Sequence, residues 1–336
     1  MRRLTIHDID DVRLDPYERP AAGPNDVVVR MKACGICGSD LSYIKHGGIP
    51  HPGTVTALGH EGAGEVLEVG NAVEGIVVGQ PVILNPMNTS GFIGSGGPEG
   101  AFVEELLVRG GRLGDNLLPI PPGIPFEIAA MCEPLAVSLH GVNRAQVVAD
   151  DKLVVFGCGP IGLGMVLWAI DRGCNVIAVD IAQARLDRAH ALGAHTINPL
   201  HEDLIARVKA LHGSEVYFGR ERASTDAYID AAGAPSILGD VVSMAKRHAR
   251  HVITAAYLKP IELPAGPMLT SEMTITTAVG YPTEFPDVIA AMPRLKDKIA
   301  ALISHSLPFD AVLDGLKIAA SPDSAKVMIR FEETGR

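Results

Sequence analysis

The sequence predicts two domains of different class, a glycine- and proline-rich β-barrel followed by a doubly wound α/β domain. Three observations carry that reading. Apolar and polar residues alternate in short runs up to about residue 130, short apolar runs alternate with helical ones beyond Asp151, and a strand-like run at Leu153–Phe156 enters a helix through three spaced glycines. At 336 residues the chain also exceeds what one core usually fills.

The period-two runs 27–33, 64–70 and 102–108 are expected as short antiparallel strands joined by long loops, in a closed or nearly closed barrel. From Ile124 the texture changes, because 126–140 has helical spacing and few turn residues. A boundary is expected between Pro134 and Asp151, and the chain divides as residues 1–136, 137–280 and 281–336. The tail from Pro286 reads helix, turn, helix, strand without dinucleotide features, so it is expected to return to the first domain.

In the second domain Gly157, Gly159 and Gly162 fall on G-x-G-x-x-G, with Pro160 and Ile161 between them. The first glycine permits the tight turn, the second lets a pyrophosphate approach the backbone, and the third lets helix and strand pack closely while the helix N-terminus faces the phosphates. A second strand at 175–179 ends in Asp180, about twenty residues past the glycines, where a carboxylate can bind ribose hydroxyls. Asp180 repels a 2′-phosphate, so NAD is expected over NADP, with Arg185 able to lie over the same ribose. Helices are expected at 185–192, 200–211 and 235–246, and strands at 227–229, 251–255 and 274–279, with Ala232 at the turn after 227–229 in the dinucleotide site. Residues 214–225 read as a polar surface insertion.

Charge and composition exclude some classes. Net charge is −10 and no Lys/Arg-rich run occurs, which argues against nucleic acid. No apolar run approaches the ~20 residues of a membrane span and the N-terminus lacks an apolar signal core, so a cytoplasmic protein is expected. Five scattered cysteines do not make a disulfide framework.

A metal constellation stands in the first domain. Cys34 and Cys37 form a C-x-x-C whose readings are half a zinc knuckle, a redox pair, or one ligand with a bystander. No second Cys/His pair completes a knuckle, and the flanking chain is not the βαβ unit of a redox pair. His60 and Glu61 are expected together in a glycine-rich turn and Glu133 at the domain boundary, and a Cys, His and Glu set with an open fourth position suits Zn²⁺.

Four stretches in this order, 35–40 (Gly-Ile-Cys-Gly-Ser-Asp), 59–64 (Gly-His-Glu-Gly-Ala-Gly), 133–137 (Glu-Pro-Leu-Ala-Val) and 156–162 (Phe-Gly-Cys-Gly-Pro-Ile-Gly), closely resemble the zinc-dependent medium-chain alcohol dehydrogenases. The Glu133-Pro134-Leu135 version resembles their sorbitol, polyol and sugar-acid branch. The resemblance implies a GroES-like barrel, a Rossmann domain and a catalytic zinc. It implies Cys37 and His60 as ligands with Glu61 or Glu133 as the third, Glu133 acting through bound water being the alternative. It implies a small alcohol or carbonyl substrate, and a homodimer or homotetramer built by pairing Rossmann sheets at the edge strand 274–279. Two departures stand out. Residues 87–99, where the family commonly carries four cysteines around a structural zinc, hold none, so one catalytic zinc per chain is expected. Ser42 replaces a common relay histidine, leaving Ser39 to pass the alcohol proton, with His46 and His51 as alternatives. Tyr43, Phe92 and Tyr281 are candidate pocket walls.

The activity this implies is reversible NAD-dependent oxidation of an alcohol to its carbonyl. Bound zinc can lower the pKa of a water to about 7, and at 1.36 kcal/mol per unit the shift is worth roughly 12 kcal/mol in favour of the oxyanion. No lone hydroxyl matches that. A zinc-free quinone or enoyl reductase and a non-catalytic dinucleotide-binding protein are the rival readings, and the intact Cys37, His60 and Glu133 set argues against both.

Overall fold

The computed structural model describes residues 1–89, 91–257 and 259–332. Two compact units divide the chain: Met1–Glu133 with Phe285–Arg336, and Pro134–Glu284.

In the first unit a seven-stranded sheet and a three-stranded sheet form the barrel. Its longest strand, Val27–Ile36, is antiparallel to Glu61–Val69 on one side. Its other edge is divided: Val27–Arg30 pair with Glu105–Val108, and Ala33–Ile36 pair with Val327–Arg330 from the far end of the chain. The tail therefore supplies part of the sheet and places Phe309, Val312, Val327 and Ile329 in the same core as Val29, Met31 and Phe102. It also contains a strand that periodicity does not reveal, Ile303–Pro308, whose half-exposed residues alternate too weakly to read as one. Glu61 begins a strand rather than sitting in a turn. Glycines at 62 and 64 tolerate the strand because Met31 Cε and the Arg30 carbonyl close on them, 2.7 and 2.3 Å from where a Cβ would stand.

In the second unit six parallel strands run in the order His195–Ile197, Asn175–Val179, Lys152–Phe156, Ala227–Asp230, Arg250–Ile253, Thr274–Thr277. This is the doubly wound order, and the glycine turn follows the strand at which the order reverses, where such sheets bind ligands. The helix Pro160–Asp171 is apolar all round because it is buried. Gly164 lets Ser138 against it, where a Cβ would stand 2.3 Å from the Ser138 hydroxyl, and that hydroxyl donates towards Pro134 O and Ile161 O at 2.8 and 2.9 Å. The helical stretch 126–140 is two helices, Phe126–Ala130 and Cys132–Arg144, separated at Met131. The insertion is a two-stranded hairpin, Ser214–Tyr217 with Arg220–Ala223.

Two histidines of this unit are buried, His212 at 1% exposure and His251 at 0%. Burial lowers the pKa of each to about 4, and the neighbouring Lys152 ammonium adds to the effect at His212. Both are therefore neutral in the folded state at a pH where the unfolded chain already binds protons. Their contribution to stability is complete above the ordinary histidine pKa of about 6.5 and is lost as pH falls from there towards 4, on the order of 3 kcal/mol each. Urea midpoints measured across that window should fall with pH, and His251→Leu should flatten the slope; an unchanged slope would remove His251 from the account.

Candidate metal centre and dinucleotide cradle

Strand register builds the metal centre. Gly35 pairs with Glu61, so the end of one strand lies beside the beginning of its antiparallel neighbour. Cys37 directly follows the first strand and His60 directly precedes the second. One donor atom from each of Cys37, His60 and Glu61 lies within 4.8 Å of the other two. A thiol, an imidazole and a carboxylate in a site where His60 and Glu61 are buried fit the donor preference of Zn²⁺.

Asp40 fixes the geometry. Cys37 caps the helix Gly38–His46, and Asp40, fully buried in its first turn, accepts hydrogen bonds from the Cys37 N–H at 2.9 Å and the Gly59 N–H at 3.4 Å. Its Oδ1 lies 3.6 Å from His60 Nδ1, beyond hydrogen-bond distance, so it acts on the imidazole through its charge. Burial alone would lower the His60 pKa, but Asp40, Cys37 and Glu133 outweigh it and raise it well above its ordinary value. Glu133, buried in the first turn of Cys132–Arg144, thus contributes its charge to the same centre.

Glu61 has a second partner that the sequence does not announce. Lys326, 1% exposed, places Nζ 2.6 Å from both Glu61 carboxylate oxygens and 3.1 Å from Ile36 O. Gly35 makes room, since a Cβ there would stand 2.0 Å from Glu61 Oε2. Burial by itself would lower the lysine pKa; Glu61 and Cys37 raise it, so the ammonium stays charged. Asp40 was within reach of sequence reasoning, three residues after Cys37 on a helix start, whereas Lys326 is 265 residues from its partner and has no local signal.

The other candidates are spread around this centre. Ser39 is half-buried on the same helix, and Ser42, His46 and His51 are exposed, His51 lying 3.3 Å from Thr54 Oγ1. Tyr43 packs on the barrel core, Phe92 is 60% exposed, and Tyr281 is buried in the second unit.

The dinucleotide cradle shows a distinct reason for each glycine. Gly157 has φ +87° and Ala232 against it, with a Cβ position 2.9 Å from the Ala232 N and Cβ. A Cβ on Gly162 would stand 1.7 Å from Gly157 O. Gly159 instead faces open space, its nearest neighbour being Arg185 Nη1 at 4.0 Å, so the gap a Cβ would fill is available to a phosphate beside a guanidinium. Pro160 and Ile161 form the first turn of the helix behind it. Asp180 accepts from the Cys158 N–H at 2.6 Å and the Ala182 N–H at 2.8 Å, which fixes its carboxylate at the strand end. Asp230 fixes Ala232 in the same way, accepting its N–H at 2.9 Å.

Removing one member of a buried ion pair strands the other charge. Lys326→Met should cost the metal-free protein about 3–5 kcal/mol in urea unfolding. The double variant Glu61→Gln/Lys326→Met should cost clearly less than the sum of its single changes, and additivity would show that the pair is not coupled.

Comparison with known proteins identifies both domains. Residues 23–121 match the alcohol dehydrogenase GroES-like domain and residues 160–294 the zinc-binding dehydrogenase domain. The chain is 29% identical to the (R,R)-butanediol dehydrogenase of Bacillus subtilis over 340 residues, covering 94% of each. It is 28% identical to the sorbitol dehydrogenase of Bos taurus over 349 residues, 98% of this chain and 96% of that protein. The crystal structure of 2R,3R-butanediol dehydrogenase from Bacillus subtilis superposes with a TM-score of 0.88 at 28% identity over 98% of this chain and 99% of that one. An Escherichia coli alcohol dehydrogenase complexed with NADH gives a TM-score of 0.86 at 27% identity over the same shares. With a GroES-like barrel bearing a thiol, imidazole and carboxylate cluster and a Rossmann sheet bearing a phosphate cradle, the chain belongs to the zinc-type medium-chain dehydrogenases, in their polyol dehydrogenase branch.

Proposed function

We propose that this chain interconverts a secondary alcohol or polyol and its ketone, using NAD and a single zinc held by Cys37, His60 and Glu133. The observation that carries the reading is the converged donor set of Cys37, His60 and Glu61, with the charge of the buried Glu133 also acting on His60, on a chain that holds an open phosphate cradle. When bound, zinc would supply Lewis-acid polarisation of the substrate oxygen and NAD the hydride acceptor. The residues supply the rest. Asp40 ties the Cys37 and Gly59 backbone together beside His60, and Ser39, half-buried two residues past Cys37, would take the alcohol proton towards solvent.

Two carboxylates compete for the third ligand position. Both Glu61 oxygens are held by Lys326, which favours Glu133 as the ligand and Glu61 as the charge behind it. Glu133→Gln should weaken zinc binding by more than about 100-fold, and Glu61→Gln by about 10–100-fold, the range usual for a group that supports ligands without touching the metal. Competition against a chelator measures both; the reverse order would make Glu61 the ligand. A single zinc follows from the 87–99 loop, which offers no thiolates. Polar contacts hold its end, with Gly94 N–H donating to Glu99 O at 2.8 Å and the Glu99 carboxylate accepting from Tyr17 and Arg109, outside the loop, at 3.0 Å each.

NAD is favoured because Asp180, fixed by two backbone N–H groups, would face the 2′-phosphate of NADP as a like charge. The zinc-loaded protein, assayed by NADH absorbance on a panel of secondary alcohols and polyols, should reduce NAD with a higher kcat/KM than NADP. Absence of turnover across the panel would overturn the assignment, and a preference for NADP would mean that Arg185 outweighs Asp180. We further propose a homo-oligomer in which the edge strand Thr274–Thr277, paired on one side with Arg250–Ile253, meets its copy on the other.

A further inference from the structure

The hairpin Ser214–Tyr217/Arg220–Ala223 is absorbed by neither the metal centre nor the dinucleotide cradle, yet it walls a cavity of about 440 Å³, within the size range of small-molecule sites. The cavity shares no residue with the glycine turn. Its lining contains Arg220, Arg222 and Arg247 and, among the described residues, no carboxylate, in a chain whose net charge is −10.

The three guanidiniums differ in how far they are satisfied. Arg247 is paired with the exposed Glu272, at 2.8 Å, and lies 5.7 Å from the Tyr217 ring centroid. Arg222 is only 6% exposed, and through Nη1 it donates to Val242 O at 3.0 Å and to Ser243 O, the last carbonyls of the helix Ile237–Met244. It has no carboxylate partner, and its remaining N–H groups have no acceptor among the described residues. Arg220 is exposed and has no side-chain partner among the described residues. Two guanidiniums at the cavity thus lack a carboxylate partner among the described residues, one of them on a side chain more than nine-tenths buried, which is an arrangement an anion completes. Thr270 and Ser271 also line the cavity, but their hydroxyls already donate to Pro267 O and Met268 O, so the arginines are the donors that face a ligand. Beside them the Tyr217 and Phe218 rings meet edge to face at 4.6 Å, and Phe218 is 76% exposed at φ +48°, a costly conformation for an aromatic residue. They offer an apolar wall to the body of a ligand.

We propose that this cavity binds a small organic polyanion, its phosphate or carboxylate groups on Arg220 and Arg222 and its carbon skeleton against Phe218, as a site separate from catalysis. The test is calorimetric titration at constant ionic strength of protein saturated with NAD, so that the glycine turn is occupied. Pyrophosphate is the probe in one arm and citrate in the other. The expected result is a single anion per chain, with affinity lowered about tenfold or more by Arg220→Glu while NAD affinity stays unchanged. Binding of pyrophosphate alone assigns a phosphorylated ligand, and binding of citrate alone a carboxylate. Because Arg220 is exposed, the variant should keep the wild-type thermal midpoint. No heat from either probe at millimolar concentration, or equal binding by the folded variant, would overturn the proposal.

Discussion

The buried pair between Glu61 and Lys326 is the constraint on which the metal centre rests. A carboxylate at 0% exposure has a high desolvation cost, and the ammonium offsets it only because the C-terminal strand lies along Val27–Ile36 in a register that brings Lys326 to the Ile36 carbonyl. Glu61 is thereby held in place beside Cys37 and His60. One ion pair therefore ties the last strand of the chain to the residues that give the first unit its chemistry.

Around it the geometry is made by backbone rather than by long side chains. Antiparallel pairing aligns the ends of two strands, with Glu61 on the last rung of the ladder and Cys37 and His60 just beyond it, where their side chains converge. The missing side chain at Gly35 admits a carboxylate, and the one at Gly159 leaves room for a phosphate. Each missing side chain lies opposite a charged group, Glu61 at Gly35 and Arg185 at Gly159.

Local features were legible in the sequence. The glycine turn, Asp180, the Cys37 and His60 stretches and the alternation of strands and helices all depend on residues within about twenty positions of one another, and each is found where its spacing places it. Long-range features were not. Lys326 reads as an ordinary strand lysine, and neither periodicity nor charge says that it points inward to a partner 265 residues away. The strand Ile303–Pro308 is half-exposed and lacks a clear alternation, and the Glu61 strand is masked by glycines that signal a turn when read alone. The insertion at 214–225 was recognisable as polar, but its conversion of three arginines into a cavity wall depends on helices that follow it by twenty to fifty residues.

The divided edge of Val27–Ile36 sets an order of events during synthesis. Half of that edge is complete once Glu105–Val108 has emerged, but the half next to Cys37 waits for Val327–Arg330. The Rossmann unit, contiguous from Pro134 to Glu284, has all its strands available before that. On the ribosome the second unit can close first, while the barrel holds an unfinished sheet edge and a carboxylate still lacking its counter-ion. Chains that terminate early would carry a complete nucleotide fold with an open, adhesive strand, a distinctive substrate for chaperones and proteases.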